Sequence, residues 1–160
     1  ETIGLRYFNV FGRRQDPFGA YAAVIPKFVD SLIKQETPKI NGDGLTSRDF
    51  TYIDNVIQMN QLAAISDNTE AVNKVYNCAC GGNENLNTLY TVLRDLLSSY
   101  DSEIANLEAE YGPERAGDVK HSKASIERAQ SLLGYSPTHD FTAGIKACVE
   151  WYREYYVQKG

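Results

Sequence analysis

Short β-prone runs alternate with amphipathic helical segments along this chain, and this alternation constrains its fold most. Apolar residues at helical spacing predict helices at about 21–34, 54–65, 86–97, 123–133 and 140–157, and an acidic helix at 102–110. β-prone residues predict strands at 3–10, 48–53 and 75–79. Asp54 is the expected N-cap of the second helix. Because helices separate the strands, we expect strands 3–10 and 75–79 to be parallel and the fold class to be α/β.

The predicted strands are too few to complete a sheet of their own. The opening residues ETIGLRYFNVFG are typical of a buried strand and have no polar lead-in. Parallel strands are usually covered by helices on both faces and need neighbouring strands. We therefore expect this chain to be part of a larger protein that supplies the rest of the sheet.

Charge and composition argue against several functional classes. The 160 residues carry a formal net charge of −5, whereas a nucleic-acid-binding domain normally presents a basic face. No apolar run approaches the ~20 residues that span a bilayer. Hydrophobic residues make up 42% of the chain, which is typical of a globular protein rather than a disordered one. We expect neither a nucleic acid nor a membrane as a partner.

The three cysteines are Cys78, Cys80 and Cys148. An odd number with a C-x-C pair does not suit a disulfide framework and favours a cytoplasmic location. Cys78 and Cys80 alternate within VYNCAC, so we expect both on one side of a strand as small apolar groups. His121 and His139 lie far from this pair in the sequence, so no metal site is predicted.

Common catalytic motifs are either missing from the sequence or placed where a structural role explains them. Tyr155 and Lys159 form a Y-x-x-x-K string, but it lies at the end of the last predicted helix, where a lysine interacts favourably with the helix dipole. The string GDGLTS at 42–47 lacks the third glycine of a G-x-G-x-x-G dinucleotide turn, and a strand-like segment follows it. There is no G-x-S-x-G string, and neither histidine is expected to have a paired nucleophile. We therefore predict no catalytic residue within this chain.

Polar residues at loop–strand junctions are poorly explained by folding alone. Asn9 interrupts the apolar strand end RYFNVFG, and Gln15 follows two arginines in the first loop. Arg48 follows the GDG turn, and Arg115 precedes Asp118 by three residues within PERAGD. Guanidinium groups offer paired donors to a diphosphate, and an aspartate can accept hydrogen bonds from a ribose diol. A surface ion pair is the alternative for each arginine.

Six strings occur here in the order seen in nucleotide-sugar epimerases and dehydratases of the extended short-chain dehydrogenase/reductase superfamily. They are LRYFNVFG, YAAVIPKFV, INGDGLTSRDFTYIDNV, VYNCACGG, PERAGDVKHSKASI and LGYSP. The resemblance runs from residue 3 to about 150. The block AYAAVIPKF with GDG-x-x-x-RDFTYIDNV most resembles the UDP-N-acetylglucosamine 4-epimerases of bacterial surface-polysaccharide synthesis. The chain resembles the C-terminal, substrate-binding part of such an NAD-dependent enzyme.

The resemblance implies a division of the complete enzyme into two parts. A Rossmann domain with the glycine fingerprint, the catalytic Ser/Thr and the Y-x-x-x-K motif would precede this chain and hold most of the NAD. Residues 1–14 would be the last part of the Rossmann sheet and a loop. Residues 15–160 would bind the nucleotide sugar, with strand 75–79 returning to the Rossmann sheet. The complete enzyme would be a homodimer, and this part alone would be inactive.

The resemblance also implies which residues bind ligands. Tyr7 and Phe8 would line the nicotinamide pocket. The substrate-binding residues would be Asn9 at the phosphates, Gln15 at the hexose, Ala23 and Val24 at the diphosphate or uridine through their backbone, Asn41 at uracil, Arg48 and Arg115 at the diphosphate, Asp118 at the ribose, and Ser122 at the sugar. Lys39 stands where relatives often have an aromatic residue, so stacking on uracil is not expected from it.

Ser122 bears on the identity of the sugar. It matches the position where epimerases restricted to non-acetylated sugars carry a bulky side chain over the C2 substituent, so a serine leaves room for an N-acetyl group. An N-cap for the 123–133 helix is the alternative role.

Two further functions stay open. One is another nucleotide-sugar reaction on the same scaffold, such as a 4,6-dehydratase, a decarboxylase or a UDP-glucuronate epimerase. The other is a binding fragment without catalysis.

Overall fold

The computed structural model describes residues 1–16 and 23–159, and for 156–159 only the course of the helix. The described residues form nine short strands, five α-helices and one 3₁₀-helix. In chain order these are β1 (Ile3–Tyr7), β2 (Val10–Phe11), α1 (Val24–Ile33), β3 (Lys39–Asn41), β4 (Ser47–Arg48), β5 (Thr51–Tyr52), α2 (Ile53–Ile65), β6 (Lys74–Cys78), β7 (Glu84–Asn85), α3 (Leu86–Ser98), the 3₁₀-helix Ser102–Asn106, β8 (Glu110–Gly112), β9 (His121–Ser122), α4 (Glu127–Leu133) and α5 (Phe141–Lys159).

The strands form four small sheets rather than one. β1 pairs in parallel with β6, from Ile3 opposite Lys74 to Tyr7 opposite Cys78. β2 pairs with β5 and β3 with β8, both in parallel, and β4 lies between β7 and β9. The parallel pairing of the segments 3–10 and 75–79 and the α/β fold class are therefore confirmed.

The larger of two hydrophobic cores lies where α1, α3 and α5 meet. Leu32, Leu93 and Ile145 are completely buried in it, and the ring of Phe11 packs against that of Tyr52 at a centroid distance of 5.6 Å. Leucines at helical spacing form the buried stripe of α3, as predicted. Burial of this stripe holds α1 and α3 together beside the loops that form the site described below.

The smaller core lies between the β1–β6 pair and helices α2 and α4. Tyr76 is completely buried there, and its hydroxyl donates to the carbonyl oxygen of Ala71 at 2.7 Å. The outer side of this region carries exposed apolar side chains, namely Tyr7, Ile57, Ile65 and Val75. Within residues 1–16 and 23–159, no helix has the length and apolar character needed to cross a bilayer.

Two predicted strands are each divided by a local feature. Asn9 has a φ of 35°, in the left-handed region that ends strand geometry, so β1 ends at Tyr7 and β2 begins at Val10. Residues 48–53 split into β4 and β5. Asp54 lies in the first turn of α2 rather than at its N-cap, which is Tyr52.

The predicted helix at 102–110 is wrong beyond its first turns. Only Ser102–Asn106 are helical, and Glu110–Gly112 form β8 beside β3. The backbone N–H of Glu110 donates to Pro38 at 2.9 Å. A tertiary strand partner therefore replaces the helical hydrogen bonds that an acidic segment stabilises poorly.

The helix predicted at 123–133 begins later, at Glu127. Ser122 is therefore not its N-cap but part of β9. Helices predicted at 54–65, 86–97 and 140–157 are confirmed within two residues at each end. For the helix predicted at 21–34, α1 covers Val24–Ile33, and positions 21 and 22 lie outside the described residues.

Candidate functional site

A cleft of about 560 Å³ opens between the N-terminal end of α1, the β2 and β4 strands and the loop before β9. Its volume lies within the roughly 300–1,000 Å³ of small-molecule sites. The lining residues are Asn9, Val10, Phe11, Ala23, Val24, Ile25, Lys27, Asn41, Thr46, Arg48, Phe50, Leu86, Arg115 and Asp118. Seven of the nine substrate-binding residues expected from the resemblance thus lie together: Asn9, Ala23, Val24, Asn41, Arg48, Arg115 and Asp118. Three lining residues are cationic and one is a carboxylate, so we call this the cationic cleft.

Asn9 reaches the cationic cleft because the backbone reverses its course there. Asparagine tolerates a positive φ better than most residues, and Asn9 adopts 35°. Its side-chain nitrogen donates to the carbonyl oxygen of Asp49 at 3.4 Å, and its own carbonyl accepts from the N–H of Thr51 at 3.3 Å. These bonds hold Asn9 against the junction of β4 and β5.

The N-terminus of α1 forms another wall of the cleft. Ala23 precedes the helix with an extended backbone and provides no side-chain cap. The first turn of any helix leaves N–H groups without partners inside the helix, and these favour anions. Ala23 and Val24 therefore lie where backbone N–H groups can meet a phosphate.

Arg48 is held at the edge of the cleft by neighbouring acceptors. One terminal nitrogen donates to a carboxylate oxygen of Asp118, and the other donates to the carbonyl oxygens of Ser47 and Val119. The ion pair expected as the alternative role of Arg48 is thus present. It fixes the guanidinium in one orientation and leaves its remaining N–H groups for a ligand.

Arg115 and Asp118 are brought to the rim by a tight turn. The N–H of Asp118 donates to the carbonyl oxygen of Arg115 at 3.2 Å, and Gly117 between them has a φ of 77°. That conformation suits glycine and favours the turn. Arg115 forms no ion pair with any residue the structure describes, so its charge is open to a ligand.

Asp49 is a completely buried carboxylate beside the site. It accepts backbone N–H bonds from Cys80 at 3.0 Å, Gly81 at 2.9 Å and Ala124 at 3.4 Å. Burial raises the pKa of Asp49, and these N–H bonds oppose the rise. The carboxylate ties the loops after β6 and β9 to the strand that carries Arg48.

Four residues implied by the resemblance do not line the cleft. The Gln15 amide nitrogen donates to Val10 at 3.3 Å, and its amide oxygen is buried without a described partner. Ser122 lies directly opposite Arg48 in the β4–β9 ladder. The hydroxyl of Tyr7 donates to Asn60 at 3.0 Å. Phe8 immediately precedes Asn9 and is half-buried.

Both histidines have a hydroxyl partner that the sequence did not reveal. The Oγ of Ser47 lies 2.9 Å from Nδ1 of His121, across the β4–β9 pair. Oγ1 of Thr138 lies 3.0 Å from Nδ1 of its neighbour His139. Each histidine therefore contacts a hydroxyl group, where the sequence predicted no paired nucleophile for either. Ser47 is only 3% exposed, however, so the pair joins two strands and offers no accessible nucleophile.

The cysteine thiols are shielded rather than activated. Burial raises the pKa of Cys78 to about 12 and also raises that of Cys80. The Sγ of Cys80 accepts from the Asn55 side chain at 3.3 Å. Within the described part of the chain, no group of three or more His, Cys, Asp or Glu residues could hold a metal ion.

A second cleft of about 530 Å³ lies on the other side of Phe50, which lines both. Its walls are Phe50, Cys80, Gly82, Glu84, Thr88, Val92, Ile126, Gln130, Pro137, His139, Asp140, Phe141 and Thr142. It contains two carboxylates and neither lysine nor arginine among these residues, so we call it the acidic cleft. It contains none of the predicted site residues.

Comparison with known proteins gives a consistent group of relatives. Residues 1–79 match the NAD dependent epimerase/dehydratase family. A putative UDP-glucose 4-epimerase of Methanocaldococcus jannaschii is 35% identical over 147 residues, which cover 92% of this chain and 44% of the relative. Other relatives are named UDP-glucuronate 4-epimerase and UDP-N-acetyl-alpha-D-glucosaminuronate decarboxylase.

Solved structures similar to this chain belong to the same group of UDP-sugar enzymes. The UDP-N-acetylglucosamine 4-epimerase from Methanobrevibacter ruminantium M1, in complex with UDP-N-acetylmuramic acid, is 39% identical with a TM-score of 0.84. The UDP-glucose 4-epimerase of Thermotoga maritima, with UDP-glucose, is 34% identical with a TM-score of 0.85. Each match covers 96% of this chain and 46% of the solved chain. The chain therefore spans about half the length of the proteins it matches.

Proposed function

The chain belongs, through residues 1–79, to the NAD dependent epimerase/dehydratase family, and from this premise we propose that it is the nucleotide-sugar-binding half of a UDP-hexose 4-epimerase. The proposed substrates are UDP-N-acetylglucosamine and UDP-N-acetylgalactosamine, in surface-polysaccharide synthesis. The observation that carries the proposal is the cationic cleft, where five separate segments bring seven expected residues together. This chain covers only about half the length of its relatives, which supports a division of the complete enzyme into two halves.

In this proposal the cleft holds the UDP moiety. Arg115 and the remaining N–H groups of Arg48 bind the diphosphate, with Asn9 beside them, because guanidinium groups pair well with phosphate oxygens. Asn41 lies at the uracil. The second carboxylate oxygen of Asp118 accepts from the ribose diol while the first holds Arg48.

The residues of this chain fit only the nicotinamide end of NAD. Tyr7 ends β1, and Phe8 lies between it and Asn9 of the cleft, so a ring packed on them would lie near the sugar. NAD held there would supply reversible hydride transfer at C4 of the hexose. A tyrosinate and most of the cofactor site belong to the proposed N-terminal half. This chain keeps UDP anchored while the 4-keto sugar rotates.

The exposed apolar side chains beside β1 and β6 support the existence of that other half. Tyr7 is 53% exposed and Ile65 is 77% exposed. Large exposed apolar patches on proteins usually mark an interface. We propose that a Rossmann domain covers this side and that the complete cytoplasmic enzyme dimerises through helices of that domain. This half alone would then be inactive.

Ser122 supports the choice of an acetylated sugar. It lies opposite Arg48 in the β4–β9 ladder, close to the proposed diphosphate. A serine here leaves more volume beside the hexose than an aromatic side chain would. The proposed N-acetyl group would occupy that volume.

Isothermal titration of the purified chain with UDP and then with NAD tests the binding role. We expect UDP to bind and NAD not to bind, since the dinucleotide fingerprint is absent from this sequence. A chain that binds no UDP would contradict the proposal. The sequence upstream of Glu1 in the genome is a second test, since a glycine fingerprint and Y-x-x-x-K are expected there.

A second candidate is a different reaction on a UDP-sugar. Relatives named UDP-glucuronate 4-epimerase and UDP-N-acetyl-alpha-D-glucosaminuronate decarboxylase favour it, and the residues that separate these reactions would lie in the other half. Incubating the full-length enzyme with UDP-N-acetylglucosamine and UDP-glucuronate, with products identified by NMR, separates the candidates. A C4 epimer of the acetylated sugar supports the first candidate, and turnover of the uronate alone supports the second.

A further inference from the structure

Lys27 lines the cationic cleft. The resemblance to nucleotide-sugar epimerases implied no role for this lysine. It lies in the first part of α1, one helical turn after Ala23. Residues i and i+4 share a helix face, so Lys27 follows the wall formed by Ala23 and Val24. The opposite face of α1 is buried through Ile25 and Val29. The side chain of Lys27 is exposed at the cleft.

The lysines nearest to Lys27 in the sequence have carboxylate partners, and Lys27 has none among the described residues. Lys34 lies at the other end of α1 and pairs with Asp30 at 2.8 Å. Lys39 lies 3.9 Å from Glu110. The ammonium group of Lys27 is therefore the one in this neighbourhood whose charge is not offset within the described part of the chain.

The charge balance of the cleft leaves room for a third cation. Arg48 is already paired with Asp118 and bonded to two carbonyl oxygens, so its positive charge is largely offset. Arg115 then supplies one uncompensated charge, whereas the diphosphate of a UDP-sugar carries about two negative charges. Lys27, beside the N–H groups at the start of α1, supplies the second.

We propose that Lys27 binds a non-bridging oxygen of the diphosphate and selects diphosphate ligands over monophosphates and nucleosides. This inference rests on the proposed function, because the diphosphate is the ligand assigned there. A compact ammonium on a flexible stem suits this contact, since it needs charge rather than the planar geometry of a guanidinium. This contact would raise the affinity for UDP, and Lys27 would not contact the hexose.

Calorimetric titration of the purified protein with UDP, UMP and uridine tests this role in Lys27→Ala, Lys27→Gln and Lys27→Arg variants. We expect Lys27→Ala and Lys27→Gln to weaken UDP binding by about fivefold to tenfold, with less effect on UMP and under twofold on uridine. Lys27→Arg should keep UDP affinity within about twofold, since the charge is retained. The salt dependence of UDP binding should become shallower in the two uncharged variants.

Lys34→Ala is the matched control, because it removes a lysine from the far end of the same helix; its UDP affinity should stay unchanged. Equal losses for UDP and uridine in Lys27→Ala, or no loss for UDP, would overturn the role of Lys27 while leaving the proposed function standing. If the unmodified protein binds no UDP, the proposed function fails, and the inference fails with it.

Discussion

The cationic and acidic clefts differ little in size and share the ring of Phe50, but their charges are opposite. The first measures about 560 Å³ and the second about 530 Å³. Lys27, Arg48 and Arg115 line the first, whereas Glu84 and Asp140 are the charged carboxylates of the second. Volume alone therefore does not distinguish the proposed nucleotide-sugar site from the other cleft. The sign of the lining charge does, because a diphosphate is attracted to one cleft and repelled by the other.

The wall between the clefts depends on one buried carboxylate. Asp49 directly precedes Phe50, and its oxygens hold the backbone of the acidic side at Cys80 and Gly81. The preceding residue, Arg48, faces the cationic side. Two neighbouring residues thus serve opposite sides of the wall, and the predictions below test each side in turn.

The largest expected effect comes from Asp49→Asn, which should destabilise the protein by about 2–3 kcal/mol. The amide offers one acceptor oxygen and places N–H donors against backbone N–H groups. Urea unfolding measures the loss. Asp54→Asn is the control, since Asp54 is partly exposed and, within the described part of the chain, forms a surface ion pair with Arg13. Stability equal to that of the unsubstituted protein would contradict the proposed role of Asp49 in the wall.

The pH dependence of that stability difference follows from the raised pKa of Asp49. Because the folded-state pKa lies above the unfolded value, the folded protein binds this proton more tightly. The contribution of Asp49 to the free energy of unfolding is complete below its pKa in the unfolded chain. It is lost as the pH rises through its pKa in the folded protein. The stability advantage over Asp49→Asn should therefore narrow with rising pH across that window. An advantage that widens would show that the pKa is lowered instead.

Arg115→Ala should weaken UDP binding by at least about tenfold in the full-length enzyme, since it removes an uncompensated guanidinium from the cationic cleft. Titration calorimetry measures the affinity. Arg94→Ala is the control, because Arg94 lies on α3 and pairs with Asp95. Unchanged UDP affinity in Arg115→Ala would contradict the proposed contact between Arg115 and the diphosphate.

Ser122→Tyr should lower turnover of UDP-N-acetylglucosamine by several-fold more than that of UDP-galactose, because the larger side chain fills the volume proposed for the N-acetyl group. Steady-state kinetics of the full-length enzyme on both sugars measure the ratio. An equal loss on both sugars would contradict the specificity role and point to a disturbed β4–β9 pair.

The smallest effect is expected on the acidic side. Glu84→Gln should change UDP affinity by less than about twofold, since Glu84 lines the other cleft and the charge is removed without loss of volume. Loss of UDP binding comparable to that of Arg115→Ala would show that the two clefts do not act separately.

Local patterns predicted the parts of this molecule that depend on neighbours in the sequence. Helix α3 follows from leucines at helical spacing, and Asn85 caps it by accepting from the N–H of Thr88 at 2.8 Å. The parallel relation of the segments at 3–10 and 75–79 follows from the helices between them. These features need only periodicity, capping and the rules of strand connection.

The resemblance was enough to name most residues of the candidate site, but the contacts between their side chains could not be predicted. The pairing of Arg48 with Asp118 and the contact of Ser47 with His121 join positions at least 70 residues apart. Lys27 gave no motif signal. The spacing of Lys27 from Ala23 places both residues on one face of α1, but that requires knowing where α1 begins.

By itself, the sequence determined the α/β class, the main helices and the resemblance to nucleotide-sugar epimerases, because these depend on local spacing and on strings that stand in order. The tertiary structure decided which charges are compensated and which face a ligand. It also decided that Glu110–Gly112 form a strand and that Ser122 lies beside Arg48. Hydrogen bonds and ion pairs act over a few ångströms in space, and only the folded chain brings those distant residues that close.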